Sequence, residues 1–343
     1  MVNQDKILMS HGSGGSMMSE LIEEEFLNSY VDKSLYVGDD ATVLENIEVA
    51  SGEKLAMSTD SYVVHPLTFP GGDIGRLAVC GTCNDISTSG AKPVALSIGF
   101  ILEEGLEISV LKNICKSIAK SADEAGVKIV TGDTKVVEHG KCDGIYINTS
   151  GVGIVPAGFN LSGRNIKSGD VVLISGSIGD HGITIMSCRK GLNFSTNLQS
   201  DAAPLNSLVS DVLKAAPDTR CFRDPTRGGV ASALNEFAAQ SNVDITINEV
   251  EVPLRREVKS ACEMLGYDVF QVANEGKMIA IVSPDQADAA LSAMRTNKYG
   301  KESAIIGYVD EVSSLAPKVY VQTEFKTRRI LDKLVGEQLP RIC

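Results

Sequence analysis

Between residues 36 and about 155 the sequence alternates apolar runs with helical patterns, and this alternation limits the choice of fold. Four runs have the composition and length of strands: KLAMSTDSYVV, PVALSIGFIL, VKIVTGD and GIYINTSGVGIV. Between the second and third, the stretch ISVLKNICKSIAKSADEAG places one set of residues on a single helical face: Leu111, Ile114, Cys115, Ile118, Ala119 and Ala122. Strands mixed with helices that cover them predict an α/β (α+β) domain.

A polar turn, GFNLSGRNIKSGD, separates this domain from a second unit that begins with the apolar strand DVVLISGS. Helices are predicted over PLNSLVSDVLKAA and GGVASALNEFAAQ, and strands over VDITINEV, KMIAIVS and SAIIGYVD. The stretch EFKTRRILDKLVG predicts a final helix, which precedes a short tail. The second unit is therefore also expected to be an α/β domain.

The 343 residues are enough for two domains of ordinary size. We predict an N-terminal ATP-binding and dimerisation domain at 36–158 and a C-terminal α/β domain at 159–322. A glycine-rich segment, 1–35, precedes them, and a helix with a mobile tail, 323–343, follows.

The charge and hydropathy of the chain exclude several classes of protein. The net charge of −12 would repel phosphate backbones, which argues against nucleic acid as a partner. No run of about 18 apolar residues predicts a membrane span. The first residues, MVNQDKILMSHGSGG, lack the apolar core and cleavage site of a signal peptide, so we expect a cytoplasmic protein.

The eight cysteines have irregular spacing, which suits reduced thiols better than a disulfide framework. One pair, Cys80 and Cys83, has the spacing of a redox or zinc motif. It lies inside a predicted helix, GRLAVCGTCNDIS, and no second cysteine pair or histidine pair completes a zinc site. We interpret both residues as buried thiols.

Several aspartates stand among small residues at strand ends or in turns. They occur in GDDATV (Asp39 and Asp40), MSTDSY (Asp60), CNDIS (Asp85), TGDTKV (Asp133) and FRDPTRGG (Asp224). Each alone is typical of a turn, because Asp bonds its own backbone. As a set that converges in one cleft they would repel each other, and Mg²⁺ that bridges to phosphate oxygens is the usual counter-charge. We therefore predict five metal ligands: Asp40, Asp60, Asp85, Asp133 and Asp224.

A glycine-rich stretch near the start, HGSGG at residues 11–15, supplies a place for a phosphate. Glycines allow backbone N–H groups to approach an anion, and the helix predicted over SMMSELIEEEFL adds a favourable dipole. DPTRGG offers a second such place, where Thr226 is expected to cap a helix that begins near Gly228. Together with the carboxylates, these features predict an ATP-binding cleft that contains metal.

At this point the motifs resemble a known family. HGSGG, GDDATV, GRLAVCGTCNDIS, TGDTKVVE, GDHG (179–182), RDPTRGG, ANEG (273–276) and the terminal PRIC are similar, in order, to the hydrogenase maturation factor HypE, a carbamoyl dehydratase family. That family belongs to the superfamily of aminoimidazole ribonucleotide synthetase, selenophosphate synthetase and thiamine-monophosphate kinase. The resemblance implies a two-domain PurM-like architecture and a homodimer in which the N-terminal domains form a β-barrel.

The chain ends on Cys343, behind Pro340 and Arg341. The terminal carboxylate disfavours the thiolate and Arg341 favours it, each by about 1 kcal/mol or less in water, so the thiol has no local activation. It is better suited to carry a group than to act as an enzyme's own nucleophile. The seven residues after Gly336 reach at most ~23–25 Å, enough to move a loaded sulfur between solvent and a cleft.

The resemblance implies what the sulfur carries: a carbamoyl group, loaded on Cys343 by a carbamoyltransferase. ATP-dependent dehydration would convert it to a thiocyanate, which supplies cyanide for the iron of [NiFe]-hydrogenase through an iron-carrying maturation scaffold. The resemblance also implies Glu275 as base and Lys135 as phosphate or oxygen stabiliser and proton relay, and which of the two takes the proton is open. From the glycine-rich stretch, from DPTRGG and from the neighbours of Asp60 and Asp85 we predict these nucleotide contacts: His11, Ser13, Gly14, Gly15, Thr59, Asn84 and Thr226.

Two other functions are compatible with parts of the sequence. A small-molecule kinase or synthetase of the same superfamily would use the ATP cleft and would give the tail no purpose. A docking module that only carries a thiol-bound group would leave the acidic cleft and Glu275 unexplained. His181 in GDHG is expected to serve the structure of a strand-to-helix turn, and His11 either orients the tail or a phosphate or contributes hydrogen bonds within its loop.

Overall fold

The computed structural model describes residues 7–29, 38–50, 52–189 and 197–336. The N-terminal segment contains a 3₁₀ turn, Met9–Gly12, and two short helices that a π-helical turn, Ile22–Phe26, joins. The helices are α1 (Ser16–Leu21) and α2 (Leu27–Ser29).

The first domain is built on a sheet that has five strands within the described residues. The strands of this domain are β1 (Thr42–Glu48), β2 (Lys54–Tyr62), β3 (Thr68–Phe69), β4 (Gly72–Asp73), β5 (Lys92–Glu103), β6 (Lys128–Val137) and β7 (Ile145–Val155). The sheet order is β1-β2-β7-β5-β6, and the separate pair β3-β4 forms a short hairpin. Only β5 and β6 pair in parallel in this sheet, as far as the chain is described.

Two helices cover one face of the five-stranded sheet: α3 (Ile74–Thr88) and α4 (Ile108–Ala125). Helix α3 is buried along nearly its whole length, and α4 buries one stripe, as its apolar spacing predicts. The predictions of β2, β5, β6, β7 and α4 are therefore confirmed.

The second domain contains a sheet with seven strands in the part of the chain that the structure describes. The strands are β8 (Val171–Ile174), β9 (Thr219–Arg223), β10 (Asp244–Asn248), β11 (Ile279–Val282), β12 (Ala304–Asp310), β13 (Val319–Gln322) and β14 (Arg328–Ile330). Their order in the sheet is β14-β13-β10-β12-β8-β11-β9. The helices are α5 (Asp180–Ser187), α6 (Asn206–Ala215), α7 (Gly229–Ser241), α8 (Arg256–Leu265) and α9 (Ala287–Thr296). Short 3₁₀ turns are Gly163–Asn165, Glu249–Glu251, Val269–Gln271 and Pro284–Gln286.

Helices cover both faces of this second sheet. On one face α7 packs Leu234 and Phe237 against β10 and β11, and on the other α6 and α9 pack Leu208 and Met294 against β8 and β11. Because both faces are covered, the strands read as continuous apolar runs, which is why DVVLISGS and KMIAIVS are recognisable in the sequence.

The predicted C-terminal helix over EFKTRRILDKLVG is wrong. Residues 323–327 form a tight turn, with Thr323 N–H bonded to Thr327 O at 2.8 Å, and β14 then pairs antiparallel with β13. Its apolar residues do not share one buried helical face: Leu331 is 1% exposed, whereas Phe325 is 80% exposed. The strand pairing satisfies the backbone that a helix would otherwise satisfy internally.

The N-terminal sheet is open, and the described residues contain no closed barrel. Strand β6 forms one edge, and every residue of it from Lys128 to Val136 is exposed. Apolar residues on such an edge are unusual for a surface that meets only water.

Two further expectations can be compared with the fold. Cys80 and Cys83 are fully buried in α3, and burial raises the pKa of Cys80 to about 12, which fits inert thiols. Within the described ranges, every helix is too short or too polar to cross a membrane.

Candidate active site

A cleft of about 630 Å³ lies where the glycine-rich segment, the N-terminal domain and the loop after β9 meet. Both predicted anion-binding stretches contribute to it, because β9 ends at Arg223 and α7 begins at Gly229 directly after DPTRGG. Six residues predicted from the sequence line this cleft: Gly14, Gly15, Asp40, Thr59, Asp224 and Thr226.

Three of the predicted carboxylates interact electrostatically, and two of them, Asp40 and Asp224, line the cleft. Burial, opposed by Arg223 and reinforced by Asp224, raises the pKa of Asp40 well above its ordinary value. Burial and the charges of Asp224, Asp40 and Asp60 raise the pKa of Asp85 in the same way. Burial raises the pKa of Asp224 to about 6. These carboxylates therefore form one electrostatic cluster.

Strand β2 positions this cluster from the N-terminal side. Ser58 donates a hydrogen bond to a carboxylate oxygen of Asp85 at 2.8 Å, and its hydroxyl lies 3.1 Å from the carbonyl oxygen of Asp40. Thr59, the next residue, points to the other face of the sheet and donates to the carbonyl of Thr149 at 2.7 Å. Alternation along one strand thus places Ser58 and Thr59 on opposite faces.

Arg223 is a site residue that the sequence analysis missed, although it stands within FRDPTRGG. Its guanidinium forms an ion pair with Asp40 and a second one with Glu236 at 3.2 Å. The other carboxylate oxygen of Asp40, Oδ2, is buried and has no hydrogen-bond partner among the described residues. Asp40 is therefore only half satisfied by protein groups.

The carboxylates of the cluster supply some of the oxygen ligands that a hard cation such as Mg²⁺ requires. The described residues contain no group of three or more His, Cys, Asp or Glu side chains that could hold an ion by themselves. Mg²⁺ is usually bound by one or two carboxylates together with water and substrate phosphates, so a protein cage is not required. The unpartnered oxygen of Asp40 and the mutual repulsion of Asp40, Asp85 and Asp224 are what such an ion would relieve.

Glu275 interacts electrostatically with the carboxylate cluster. It is 4% exposed, and its Oε1 has no hydrogen-bond partner in the described part of the chain. Burial, together with the charges of Asp224, Asp60 and Asp201, raises its pKa well above the ordinary value, while Arg227 acts in the opposite direction. A buried carboxyl with a raised pKa is a candidate proton acceptor.

The turn that carries Glu275 is fixed by its neighbour Asn274. The Asn274 side chain donates to the carbonyl of Pro225 at 2.9 Å, and its oxygen accepts the N–H of Gly179 at 2.7 Å. These bonds tie ANEG to both DPTRGG and GDHG. Three motifs that are far apart in the sequence therefore meet at one point.

His181 of GDHG is fully buried. Its Nδ1 is 2.8 Å from Ser200 Oγ, and its ring packs edge-on against Phe69 with centroids 5.6 Å apart. This arrangement agrees with the structural role expected for it.

Asp133 lies apart from the other predicted carboxylates within a single chain, so its role as a metal ligand stays a prediction. Asp133 pairs with Gly99, which pairs with Asn148, which pairs with Ser61 next to Asp60. Three strand spacings of about 4.8 Å therefore separate its strand from β2, about 14 Å in total. Lys135 accompanies Asp133: the two exposed side chains form an ion pair at 2.6 Å on β6, away from Glu275.

Asn84 does not contact the cleft. It is 1% exposed, donates to the carbonyl of Ala203 at 3.0 Å and accepts the N–H of Leu205 at 2.7 Å. Both polar atoms of the side chain thus hold α3 to the second domain. A nucleotide contact by Asn84 stays a prediction, and the bonds observed here give its side chain a structural role.

His11 and Ser13 also lie outside the cleft lining, and Thr226 does not cap α7. His11 Nδ1 accepts the N–H of Leu8 at 2.9 Å, so it stabilises its own turn. Thr226 uses its carbonyl, which accepts the N–H of Gly229 at 2.9 Å, while Gly228 occupies the cap position. Ser13 has a different role, because it contacts the chain that leads to the C-terminus.

The base of the C-terminal tail is held against the glycine-rich segment. Ser13 Oγ lies 3.0 Å from the carbonyl oxygen of Gly336, and the N–H of Ser16 donates to the carbonyl of Leu334 at 3.1 Å. Gly14 and Gly15, between these contacts, line the cleft. Cys343 itself lies outside the described residues, but the tail that carries it starts at the edge of the cleft.

Comparison with known proteins agrees with this arrangement. The family model for the N-terminal domain of AIR synthase related protein matches residues 38–155, and the model for the C-terminal domain matches residues 167–319. The chain is 51% identical over 335 residues to a protein of Azotobacter vinelandii named carbamoyl dehydratase HypE. The alignment covers 98% of this chain and 96% of that protein.

Two solved structures have the same fold over nearly their whole length. A crystal structure of a HypE–HypF complex has a TM-score of 0.85 and 47% identity, over 92% of this chain and 99% of the matched chain. A crystal structure of hydrogenase maturation protein HypE in complex with ATP has a TM-score of 0.81 and 46% identity, over 98% of this chain and 100% of the other. The motifs, the two domains and the cleft agree with these matches. The chain belongs to the carbamoyl dehydratase HypE family of AIR synthase related proteins.

Proposed function

We propose that this chain is an ATP-dependent carbamoyl dehydratase that converts a carbamoyl group on Cys343 to a thiocyanate, the source of cyanide for the iron of [NiFe]-hydrogenase. The observation that carries the proposal is the position of the tail base. Ser13 and Ser16 hold Gly336 and Leu334 beside the two glycines that line the carboxylate-rich cleft. Seven residues follow Gly336, so the terminal sulfur has a reach of at most ~23–25 Å from that point.

The chemistry requires that a poor leaving group becomes a good one. The carbamoyl oxygen attacks the γ-phosphorus of ATP, the bond to ADP breaks, and the nitrogen loses one proton, which leaves S–C(OPO₃)=NH. The C–O bond then breaks, phosphate departs, and the nitrogen loses its second proton to give S–C≡N. ATP thus supplies the energy for removing the elements of water.

Glu275 is the group that we assign to proton removal. Its carboxylate is buried and interacts with the cluster, and burial together with the charges of Asp224, Asp60 and Asp201 raises its pKa well above that of an ordinary carboxylate. A carboxylate with a raised pKa is a stronger proton acceptor than an ordinary one. Arg227, which lines the main cleft, is a cation available to stabilise the developing phosphate charge.

Asp40, Asp60, Asp85 and Asp224 are the residues that would hold Mg²⁺ with the triphosphate. When bound, the ion would neutralise the negative charge on the phosphate oxygens during transfer. Gly14 and Gly15 offer backbone N–H groups for the phosphates, Thr226 offers a hydroxyl, and Thr59 lines the same cleft.

We also propose that the chain works as a homodimer, with Asp133 and Lys135 acting in the cleft of the second subunit. Both residues stand on the fully exposed edge strand β6, together with apolar residues such as Val130 and Val136, which are 64% and 68% exposed. Pairing of two such sheets would bury these side chains and complete a barrel. The further partners are a carbamoyltransferase that loads Cys343 and an iron-carrying scaffold that receives the product.

One measurement distinguishes this function from the alternatives. The full-length protein, carbamoyl-loaded on Cys343, is incubated with ATP and Mg²⁺, and the C-terminal peptide is weighed by mass spectrometry. Loss of one water, dependent on ATP and absent in Cys343→Ala, is the expected result. Phosphorylation of a small acceptor regardless of Cys343 would identify a kinase, and an intact carbamoyl group with bound nucleotide would identify a carrier.

A further inference from the structure

The turn that carries Glu275 is contacted by the buried carboxylate of Asp201. Asp201 stands in the segment between α5 and α6, and its side chain is 4% exposed. Its Oδ1 accepts the backbone N–H of Glu275 at 3.0 Å, and its Oδ2 lies 3.1 Å from Lys277 Nζ. One carboxylate therefore bridges residues 275 and 277 of the same turn.

Backbone packing allows little movement between the turn and this segment. A Cβ on Gly276 would overlap the carbonyl oxygen of Asp201 and would lie 3.0 Å from the N atom of Ala203. Ser200 Oγ accepts the N–H of Ala202 at 3.2 Å and lies 2.8 Å from the ring of the buried His181. The segment that presents Asp201 is thus itself fixed by buried groups.

Asp201 lines a second cavity of about 570 Å³, which Gly276 and Lys277 also line, and neither Asp201 nor Glu275 is among the residues that line the main cleft. The Lys277 side chain is 10% exposed, so both charges of the pair are taken from water. Burial of an ion pair costs free energy that apolar residues would not cost, so stability alone gives a weak reason for this pair.

We propose that Asp201, paired with Lys277, is a positioning residue that orients Glu275 for removal of protons from the carbamoyl nitrogen. This inference rests on the proposed role of Glu275 as the base. The bond to the N–H of residue 275 and the ion pair at residue 277 anchor the turn on both sides of Glu275, which sets the direction of its Cα–Cβ bond. A base must lie within hydrogen-bond reach of its proton, and a displacement of about 1 Å can cost about 100-fold in rate.

The test is the single-turnover rate of water loss from carbamoyl-loaded, full-length protein, measured as a function of ATP concentration. Asp201→Ala is expected to lower the rate constant at saturating ATP about 30–100-fold and to change the half-saturating ATP concentration less than about 3-fold. Asp201→Asn keeps an oxygen that accepts the N–H of Glu275, so it is expected to recover most of the rate, to within about 5-fold of the parent. An unchanged rate in Asp201→Ala would overturn the inference.

A double variant separates action through Glu275 from independent action. If Asp201 acts by positioning Glu275, Asp201→Ala adds no further loss in a Glu275→Gln background. A full additional loss in that background would contradict positioning. A parent-like rate in Glu275→Gln alone would refute the base assignment, whereas a slow Glu275→Gln with a normal Asp201→Ala would refute only the present inference.

Asp244 provides a matched control for general destabilisation. It is a carboxylate of the same domain, 2% exposed, whose oxygens accept the N–H groups of Ser313 and Lys318, each at 2.8 Å. Asp244→Ala is expected to lower the free energy of unfolding and to leave the rate constant of water loss unchanged. If it slows the reaction as much as Asp201→Ala, the effect of Asp201 is one of stability and the inference fails.

Discussion

Arg223 is the residue on which the carboxylate cluster most depends in the ligand-free protein. Its side chain is 10% exposed and pairs with Asp40 and Glu236. Removal of one partner from a buried pair leaves an uncompensated charge, so Arg223→Met is expected to lower the free energy of unfolding by about 3–5 kcal/mol. Urea unfolding of the two proteins measures this difference.

The cause assigned to that loss can be tested with Asp40→Asn. If the unpaired charge of Asp40 is responsible, Asp40→Asn/Arg223→Met is expected to be more stable than Arg223→Met alone. A double variant that is less stable than Arg223→Met would show that lost packing of the guanidinium, which lies over Phe237 at 5.7 Å, is the main term.

For single residues, sequence motifs predicted which acidic side chains interact in the folded protein, because these side chains lie in turns that the sequence marks. Asp224 and Glu275 stand next to a proline and a glycine in turns, and Asp40 follows Gly38 by two residues, so a short stretch of sequence shows both the carboxyl group and the bend. Arg223 and Asp201 could not be found this way. Their partners, Asp40 and Glu275, are 183 and 74 positions away, and only the fold brings these pairs together.

Among the elements, α3 shows how a helix approaches the sheet through a glycine. A Cβ on Gly81 would overlap the hydroxyl of Tyr62 on β2 and would lie 3.1 Å from its Cζ, and Tyr62 is 1% exposed. Overpacking costs about 1–3 kcal/mol, which exceeds the gain of up to about 1 kcal/mol from replacing glycine in a helix. Gly81→Ala is therefore expected to lower the thermal midpoint of unfolding.

Two further variants test whether the hydroxyl of Tyr62 is the obstacle. Tyr62→Phe removes that atom, so the Gly81→Ala change is expected to cost less in a Tyr62→Phe background. Gly99→Ala is the matched control, because its nearest neighbour would be Asn148 O at 3.7 Å. An equal cost of Gly81→Ala in both backgrounds would contradict the proposed clash.

Elements whose burial follows one period could be predicted from the sequence. Strand β7 alternates buried and half-exposed residues along its length, and α4 buries a single stripe, so each pattern has one structural solution. The C-terminal hairpin could not be predicted, because β14 has three residues and its apolar neighbours serve different surfaces. This spacing of apolar residues is also compatible with a helix, and only the pairing with β13 distinguishes the two structures.

For the whole molecule, Glu124 on α4 connects the two domains. It accepts hydrogen bonds from Arg76 of the first domain at 2.7 Å and from Lys298 of the second at 2.8 Å, and the hydroxyl of Tyr299 also donates to it. Burial alone would raise the pKa of Glu124, but the bonds from Lys298, Tyr299 and Arg76 lower it to about 2. The folded protein therefore favours the ionised form.

This pKa predicts the sign of a pH effect. A lowered folded-state pKa gives stability that is fully present above the unfolded value of 4.5 and is lost as the pH falls towards 2. Glu124→Gln is expected to be less stable than the parent by about 0.5–1 kcal/mol at pH 6, since solvent screens the partly exposed pair, and the difference should shrink between pH 4.5 and 3. Urea unfolding across this range measures it; a constant difference would mean that charge is not the cause.

The proposed dimer predicts that Lys135 acts in the cleft of the other subunit, and mixed dimers can test this. Consider a mixed dimer that has one Glu275→Gln subunit and one Lys135→Met subunit. If Lys135 acts in the cleft of the other subunit, one cleft of this dimer has both substitutions and the other cleft has neither. Mixing the two inactive proteins and allowing subunits to exchange should then restore about a quarter of the parent's clefts, because half of the dimers are mixed and each has one intact cleft. If Lys135 acts within its own subunit, each cleft keeps one defect and the mixture stays inactive. Because β6 is separated from β2 by two strands and is exposed along its length, we expect the first result.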